Sequence, residues 1–209
     1  MNIELKNVSK KYNDKIIFSS LNFTFLSNTI TCITGPSGIG KTTLVNMISN
    51  VTDYTGEITP IDNISYVFQE TRLIDTLTVS ENLEYVIKKI YKNKQERTQI
   101  INNILDKMGL SENSNHYPKE LSGGMKQRVS IARAFIYPSS LLIIDEPFKE
   151  LDLNLKNKII KEFMNLLKEN KKTVIYITHD INEAKSITDN IYKIISPSEI
   201  IKINNKVIK

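Results

Sequence analysis

The chain has 209 residues, of which 40% are hydrophobic and 24% charged, with a formal net charge of +5 and a single cysteine. That length accommodates one α/β domain with a substantial core and at most a small subdomain. One cysteine excludes a disulfide within the chain, and apolar runs as short as "LLII" exclude a membrane-spanning helix. The N-terminus "MNIELKNVSK" lacks the apolar stretch of a signal peptide, so a soluble, cytosolic protein is expected. The basic residues are scattered as "KK", "KNK" and "KENKK". Scattering of this kind describes a solvated surface, and no nucleic-acid partner is expected, although an anionic membrane face would suit the charge equally well.

In chain order, "IELKNVSKKY" and "NFTFL" read as strands of a small sheet with a turn at Asn13 and Asp14. "TITCIT" (29 to 34) is a β-branched strand in which Cys32 reads as a buried structural thiol. "GPSGIGKTT" (35 to 43) follows, and then "TTLVNMISNV", with Leu44, Ile48 and Val51 at helical spacing. Gly35, Gly40, Lys41 and Thr42 satisfy G-x-x-x-x-G-K-[ST] in the order strand, loop, helix that a phosphate-binding loop requires. The chemistry explains the spacing. Glycines let successive N–H groups turn inward around phosphate oxygens, the lysine supplies a point charge, the hydroxyl supplies a Mg²⁺ ligand, and the helix N-terminus faces the same anion.

"NISYVF" (63 to 68) is a further strand, and the texture changes near residue 72. Thr78 and Glu81 make a capping box, and Val79, Leu83, Val86, Ile87 and Ile90 place one apolar face on the helix it opens. After "KNKQER", a second helix carries Ile100, Ile101, Ile104, Leu105 and Met108 on one face and stops at Gly109. Residues 72 to 120 are therefore expected to form a helical insert. "SLLIID" and "TVIYIT" read as buried parallel strands, separated by a helix from about Asn154 to Asn170 that buries Leu155, Ile159, Phe163, Leu166 and Leu167. Alternating strands and helices predict an α/β fold, a parallel sheet covered by helices.

Two stretches add chemistry. "LLIIDEP" (141 to 147) ends a strand in Asp145 and Glu146, and ligands of open α/β sheets collect at the carboxyl ends of strands. Asp145 is the expected Mg²⁺ carboxylate and Glu146 the group that polarises an attacking water. "LSGGMKQR" (121 to 128) places a serine and two glycines at the start of the helix "KQRVSIARAF", a second phosphate-binding helix start.

With these motifs in this order the sequence resembles the ATP-binding subunits of ABC transporters over nearly its whole length. The resemblance implies a single ABC-type P-loop NTPase domain over 1–209, with a parallel core sheet, a small antiparallel N-terminal sheet and a helical subdomain at about 72–120. ATP would lie along Gly35, Pro36, Ser37, Gly38, Ile39, Gly40, Lys41, Thr42 and Thr43, with Tyr12 stacked on adenine. Thr42, Gln69 and Asp145 would hold Mg²⁺, while Glu146, Gln69 and the switch histidine His179 would serve hydrolysis. Ser122, Gly123, Gly124 and Met125 would bind the γ-phosphate of ATP held by a second subunit in a head-to-tail homo- or heterodimer, and Asp152 would line the loop that meets it. The implied partners are a transmembrane permease and an extracytoplasmic substrate-binding protein, with the chain peripheral on the inner face of the cell membrane. Two departures from the family's wording are Lys149 and Glu150, where small residues usually precede Leu-Asp, and Met125 in place of Gln. "VFQETRLIDTLTVSENL" and "YPKELSGGMKQR" look like the nitrate, sulfonate and taurine importers. An exporter ATPase, or an ABC ATPase acting on DNA or ribosomes, is the alternative; a kinase or switch GTPase leaves "LSGGM" unexplained. The chain ends soon after its last predicted strand, so no regulatory domain is expected.

Overall fold

The computed structural model describes residues 1–148, 153–169 and 171–203. Lys149, Glu150 and Asp152 therefore lie outside the described residues. In chain order the elements are β1 (Ile3–Tyr12), β2 (Lys15–Phe25), β3 (Ile30–Thr34), α1 (Lys41–Ile48), β4 (Thr55–Ile58), β5 (Ile64–Val67), α2 (Val79–Ile87), α3 (Lys94–Lys107), α4 (Gly123–Ile136), β6 (Leu141–Asp145), α5 (Leu153–Glu169), β7 (Thr173–Ile177), α6 (Ile181–Ile187), β8 (Ile191–Ser196) and β9 (Glu199–Lys202). They group into two compact units, Met1–Ile64 with Ser140–Glu146 and Lys171–Lys209, and Ser65–Ser139 with Pro147–Asn170.

The first unit holds a three-stranded sheet ordered β2-β1-β4, antiparallel throughout, and a larger sheet in which β6, β7, β3, β8 and β9 are successive neighbours. β6 pairs parallel with β7, β7 with β3 and β3 with β8, and β9 runs antiparallel to β8. Every residue of β6 and β7 is buried, as "LLIID" and "TVIYI" require of strands covered on both faces. β4, α6, β8 and β9 add to the elements that the sequence patterns predict.

The second unit carries β5 from Ser65 onward and the four helices α2 to α5. The capping box of α2 is present, with Glu81 N–H donating to Thr78 Oγ1 at 3.3 Å and Thr78 N–H donating to Glu81 Oε2 at 2.7 Å. One turn on, the buried Asn82 amide gathers the preceding loop: it accepts from Ile74 N–H at 2.8 Å and donates to the carbonyls of Ile74, Leu77 and Thr78. At the end of α3, Arg128 of α4 donates to the Met108 carbonyl at 3.0 Å, so one of the helix's last acceptors is satisfied from a neighbouring helix. α4 and α5 meet closely at Gly124, where an added Cβ would lie 2.5 Å from Leu155 Cδ2. Further along, Phe135 and Phe163 pack edge to face at 5.6 Å.

Two apolar positions depart from their predicted helical faces. α1 ends at Ile48 and Asn50 takes φ of +55°, which leaves Val51 74% exposed beyond the helix. α2 ends at Ile87, and Ile90, in the turn that follows, is 43% exposed. In both cases the helix stops before the periodic residue is reached.

Because Thr78 Oγ1 accepts from one of the free N–H groups at the start of α2, Thr78→Ala is expected to destabilise the chain by about 1 kcal/mol. A urea titration checks this: the midpoint falls while the slope is unchanged.

Candidate nucleotide site

The site begins at the carboxyl ends of the parallel strands. Ile33 of β3 and Asp145 of β6 both stand opposite Ile177 of β7, so three strand ends come level. From there the chain turns sharply on each strand. After β3 comes the loop 35–40, which ends at Gly40, the residue that precedes α1, at φ of +114°. A Cβ at Gly40 would stand 2.7 Å from Ile17 Cγ2 and 3.1 Å from Phe18 Cζ of β2, so both the backbone conformation and the packing demand glycine. No acidic residue occupies the first turn of α1, so its positive end is not offset by a local carboxylate.

Lys41 is buried, and its ammonium turns back into the loop, donating to the carbonyls of Gly35 at 2.9 Å and Pro36 at 3.1 Å. Thr42 Oγ1 donates to Asp145 Oδ2 at 3.1 Å, joining positions 103 residues apart in sequence. Glu146 takes φ of +43°, unusual for a residue with a Cβ, while its N–H donates to the Ile177 carbonyl at 3.0 Å. The turn aims its carboxylate at an ammonium and an imidazole, with Oε1 3.8 Å from Lys41 Nζ and Oε2 3.3 Å from His179 Nδ1. Strain of this kind, on the order of 1–3 kcal/mol, collects at functional sites.

His179 is held by a turn between β7 and α6. Thr178 N–H donates to the Ile33 carbonyl at 3.3 Å, and Thr178 Oγ1 accepts from Asp180 N–H at 3.0 Å. Asp180 then caps α6, accepting from the N–H groups of Asn182 and Glu183. Behind the turn, the buried Tyr176 hydroxyl donates to Glu183 Oε1 at 2.7 Å; burial first and the Glu183 charge second push the phenol pKa well above its ordinary value. The signal for α6 is present in "DINEAKSI", with an Asp cap and Ile181, Ala184 and Ile187 at helical spacing.

The structure thus gathers Lys41, Thr42, Asp145, Glu146 and His179 within the first unit. Tyr12 belongs to the same unit, at the β1–β2 hairpin, 45% exposed. Gln69 and the signature belong to the second unit. Gln69 is exposed just beyond β5, and Ser122 precedes α4, its hydroxyl accepting from Met125 N–H at 3.3 Å. Gly123 is exposed and faces open space, with no atom within 4 Å of a Cβ placed there.

Comparison with known proteins decides the family. The family described as "ABC transporter" matches residues 18–149, from β2 through the phosphate loop and signature to just beyond Glu146. This chain belongs to the ABC transporter family. Among its relatives, the aliphatic sulfonates import ATP-binding protein SsuB of Bacillus thuringiensis subsp. konkukian is 32% identical over 217 residues, spanning 97% of this chain and 85% of that one. The Fe(3+) ions import ATP-binding protein FbpC of Fusobacterium nucleatum is 35% identical over 91% of this chain, but this chain spans only 55% of that protein's length. The dimeric structure of MJ0796, a bacterial ABC transporter cassette, is 31% identical, with a TM-score of 0.83, and the match covers 97% of this chain and 99% of that one.

ABC ATPase domains bind ATP with Mg²⁺, and the residues present fit both. Gly40 clears the backbone for close approach, Lys41 offers an ammonium held on carbonyls with the Glu146 carboxylate 3.8 Å away, and Thr42 with Asp145 presents a hydroxyl and a carboxylate side by side, the hard oxygen donors that Mg²⁺ prefers. Lys41→Ala is expected to weaken ATP binding by about 1.5–3 kcal/mol, roughly tenfold to a hundredfold, since a charge-assisted contact disappears. Equilibrium titration with ATP checks this.

Proposed function

We propose that this ABC family chain is the ATP-hydrolysing subunit of an importer, energising a separate transmembrane permease from the inner face of the cell membrane. The observation that carries the reading is the Glu146 carboxylate, turned by its own strained backbone toward Lys41 and His179 beside the Thr42–Asp145 pair. A carboxylate so placed can accept a proton from water, and His179 at 3.3 Å can orient it. Lys41 offsets charge on the β- and γ-phosphates, and the loop N–H groups hold the phosphate oxygens. Thr42 and Asp145 would hold Mg²⁺, which would supply charge neutralisation on the phosphates.

The signature completes the reading in trans. Ser122, Gly123, Gly124 and Met125 form a helix start whose own serine satisfies one N–H and whose Gly123 faces open space, and this supports a role on the nucleotide of a second ATP-binding subunit. Head-to-tail pairing with two ATPs at the interface follows, with Asp152 in the loop that meets the partner. The helical subdomain at about 72–120, near Gln69, is the proposed seat of the permease. Import by the nitrate, sulfonate and taurine type is supported by the wording of "YPKELSGGMKQR" and by the sulfonate-importer relative. A substrate-binding protein outside the membrane belongs to that arrangement.

Glu146→Gln keeps the size and reach of the side chain and removes its capacity to accept a proton. The variant is expected to bind ATP, to lose hydrolysis by about two to four orders of magnitude, and to run as a dimer with ATP and as a monomer with ADP on size-exclusion chromatography. Hydrolysis at the wild-type rate removes Glu146 as the base, and an ATP-bound monomer removes the trans signature.

A further inference from the structure

The hairpin that carries Tyr12 also buries a cation. β1 slips in its register with β2 between Leu5 and Val8, around Asn7 at φ of +50°. The slip reverses the phase of the strand: Ile3 and Leu5 are buried before it, Val8 and Lys10 after it. Lys10 is thereby carried inward, its side chain only 5% exposed. Its ammonium lies 2.8 Å from Asp53 Oδ1 and 4.6 Å from the centroid of the Tyr12 ring. Asp53 itself is 96% exposed, and the Lys10 contact lowers its carboxyl pKa below the ordinary range.

We propose that Lys10 is a positioning residue for the nucleotide base. Asp53 fixes the ammonium, the ammonium fixes the Tyr12 ring by a cation–π contact, and the part of the ring left exposed stacks on adenine. This rests on the reading of Tyr12 as the base platform. A buried lysine gives up its hydration, and the Asp53 carboxylate and the Tyr12 π-cloud are the groups placed to offset that loss. The effect on stacking has a definite sign. A cation near one face draws π-density toward itself and lowers the negative potential of the other, so a purine's own π-cloud meets less repulsion there.

The same hairpin reaches the phosphate loop. Lys10 stands opposite Phe18 in the β1–β2 pairing, and Phe18 together with Ile17 packs against Gly40. One pair of strands therefore carries both the proposed base platform and the wall that shapes the end of the loop. Lys10 sits where the two meet, and its charge acts on the ring rather than on the phosphates.

Calorimetric titration of the full chain with Mg²⁺-ATP and with Mg²⁺-tripolyphosphate, which lacks a base, separates the contributions. Lys10→Met keeps most of the buried stem and removes the charge, and it is expected to weaken ATP about threefold to thirtyfold while leaving tripolyphosphate unchanged. Lys10→Arg restores ATP affinity, and Lys10→Met adds nothing in a Tyr12→Ala background. Asp53→Asn alters an exposed side chain and weakens ATP in the same direction by less, which keeps the test open if Lys10→Met does not fold. Equal losses for ATP and tripolyphosphate, or an undiminished Lys10→Met effect without Tyr12, overturn the positioning role. So does a Lys10→Met chain with wild-type ATP affinity when Tyr12→Ala is impaired. If Tyr12→Ala itself binds ATP normally, the base-platform reading falls first and the role of Lys10 falls with it.

Discussion

Parallel pairing of β3, β7 and β6 is the constraint on which the site depends. Strands that run the same way end on the same side, and with Ile33 and Asp145 both level with Ile177 the three chain exits open at one height. Distant segments meet there without any long loop to order. Thr42 and Asp145, 103 residues apart, come within 3.1 Å because each lies near the exit of its own strand. An antiparallel neighbour in place of β6 or β7 would send its acidic end or its histidine turn to the opposite edge.

What the exits do with that proximity is electrostatic. Lys41 is buried yet bonded to backbone carbonyls, a neutral partner set that leaves its charge available to an anion. Glu146 is kept close at 3.8 Å without forming a tight ion pair, and His179 holds its other oxygen. The left-handed backbone at Glu146 is sustained by its N–H bond to Ile177 and by the buried strand before it, so the strain is balanced by structure already required for the sheet. On the other flank, Ile17 and Phe18 fill the space that a side chain at Gly40 would need, which ties the small antiparallel sheet to the shape of the loop.

Much of this was legible in the sequence because several signals are strictly local. The phosphate loop needs glycine where φ is positive, the fully buried strands need uninterrupted apolar runs, and α2 announces itself through Thr78 and Glu81. Less legible were features decided by neighbours. β4 exposes three of its four residues and exists through its pairing with β1, so no alternation marks it. β8 and β9 form an antiparallel hairpin that joins the sheet through the pairing of β8 with β3. The burial of Lys10 in "SKKY" follows from a register slip at Asn7, which inverts the pleat and turns an ordinary-looking surface lysine into the strand's interior. Val51 and Ile90 show the converse, since periodicity continues in the sequence after the helix has ended.

The central claim is that the loop after β3 and the acid at the end of β6 form one Mg²⁺–nucleotide site. Asp145→Asn tests it most directly when ATP is titrated with Mg²⁺ and again with EDTA. Wild-type chain is expected to bind ATP more tightly with Mg²⁺, and the variant to lose that increment while keeping the metal-free affinity, because the amide remains within hydrogen-bonding reach of Thr42 but is a far weaker Mg²⁺ ligand. An undiminished Mg²⁺ increment in Asp145→Asn would contradict the account.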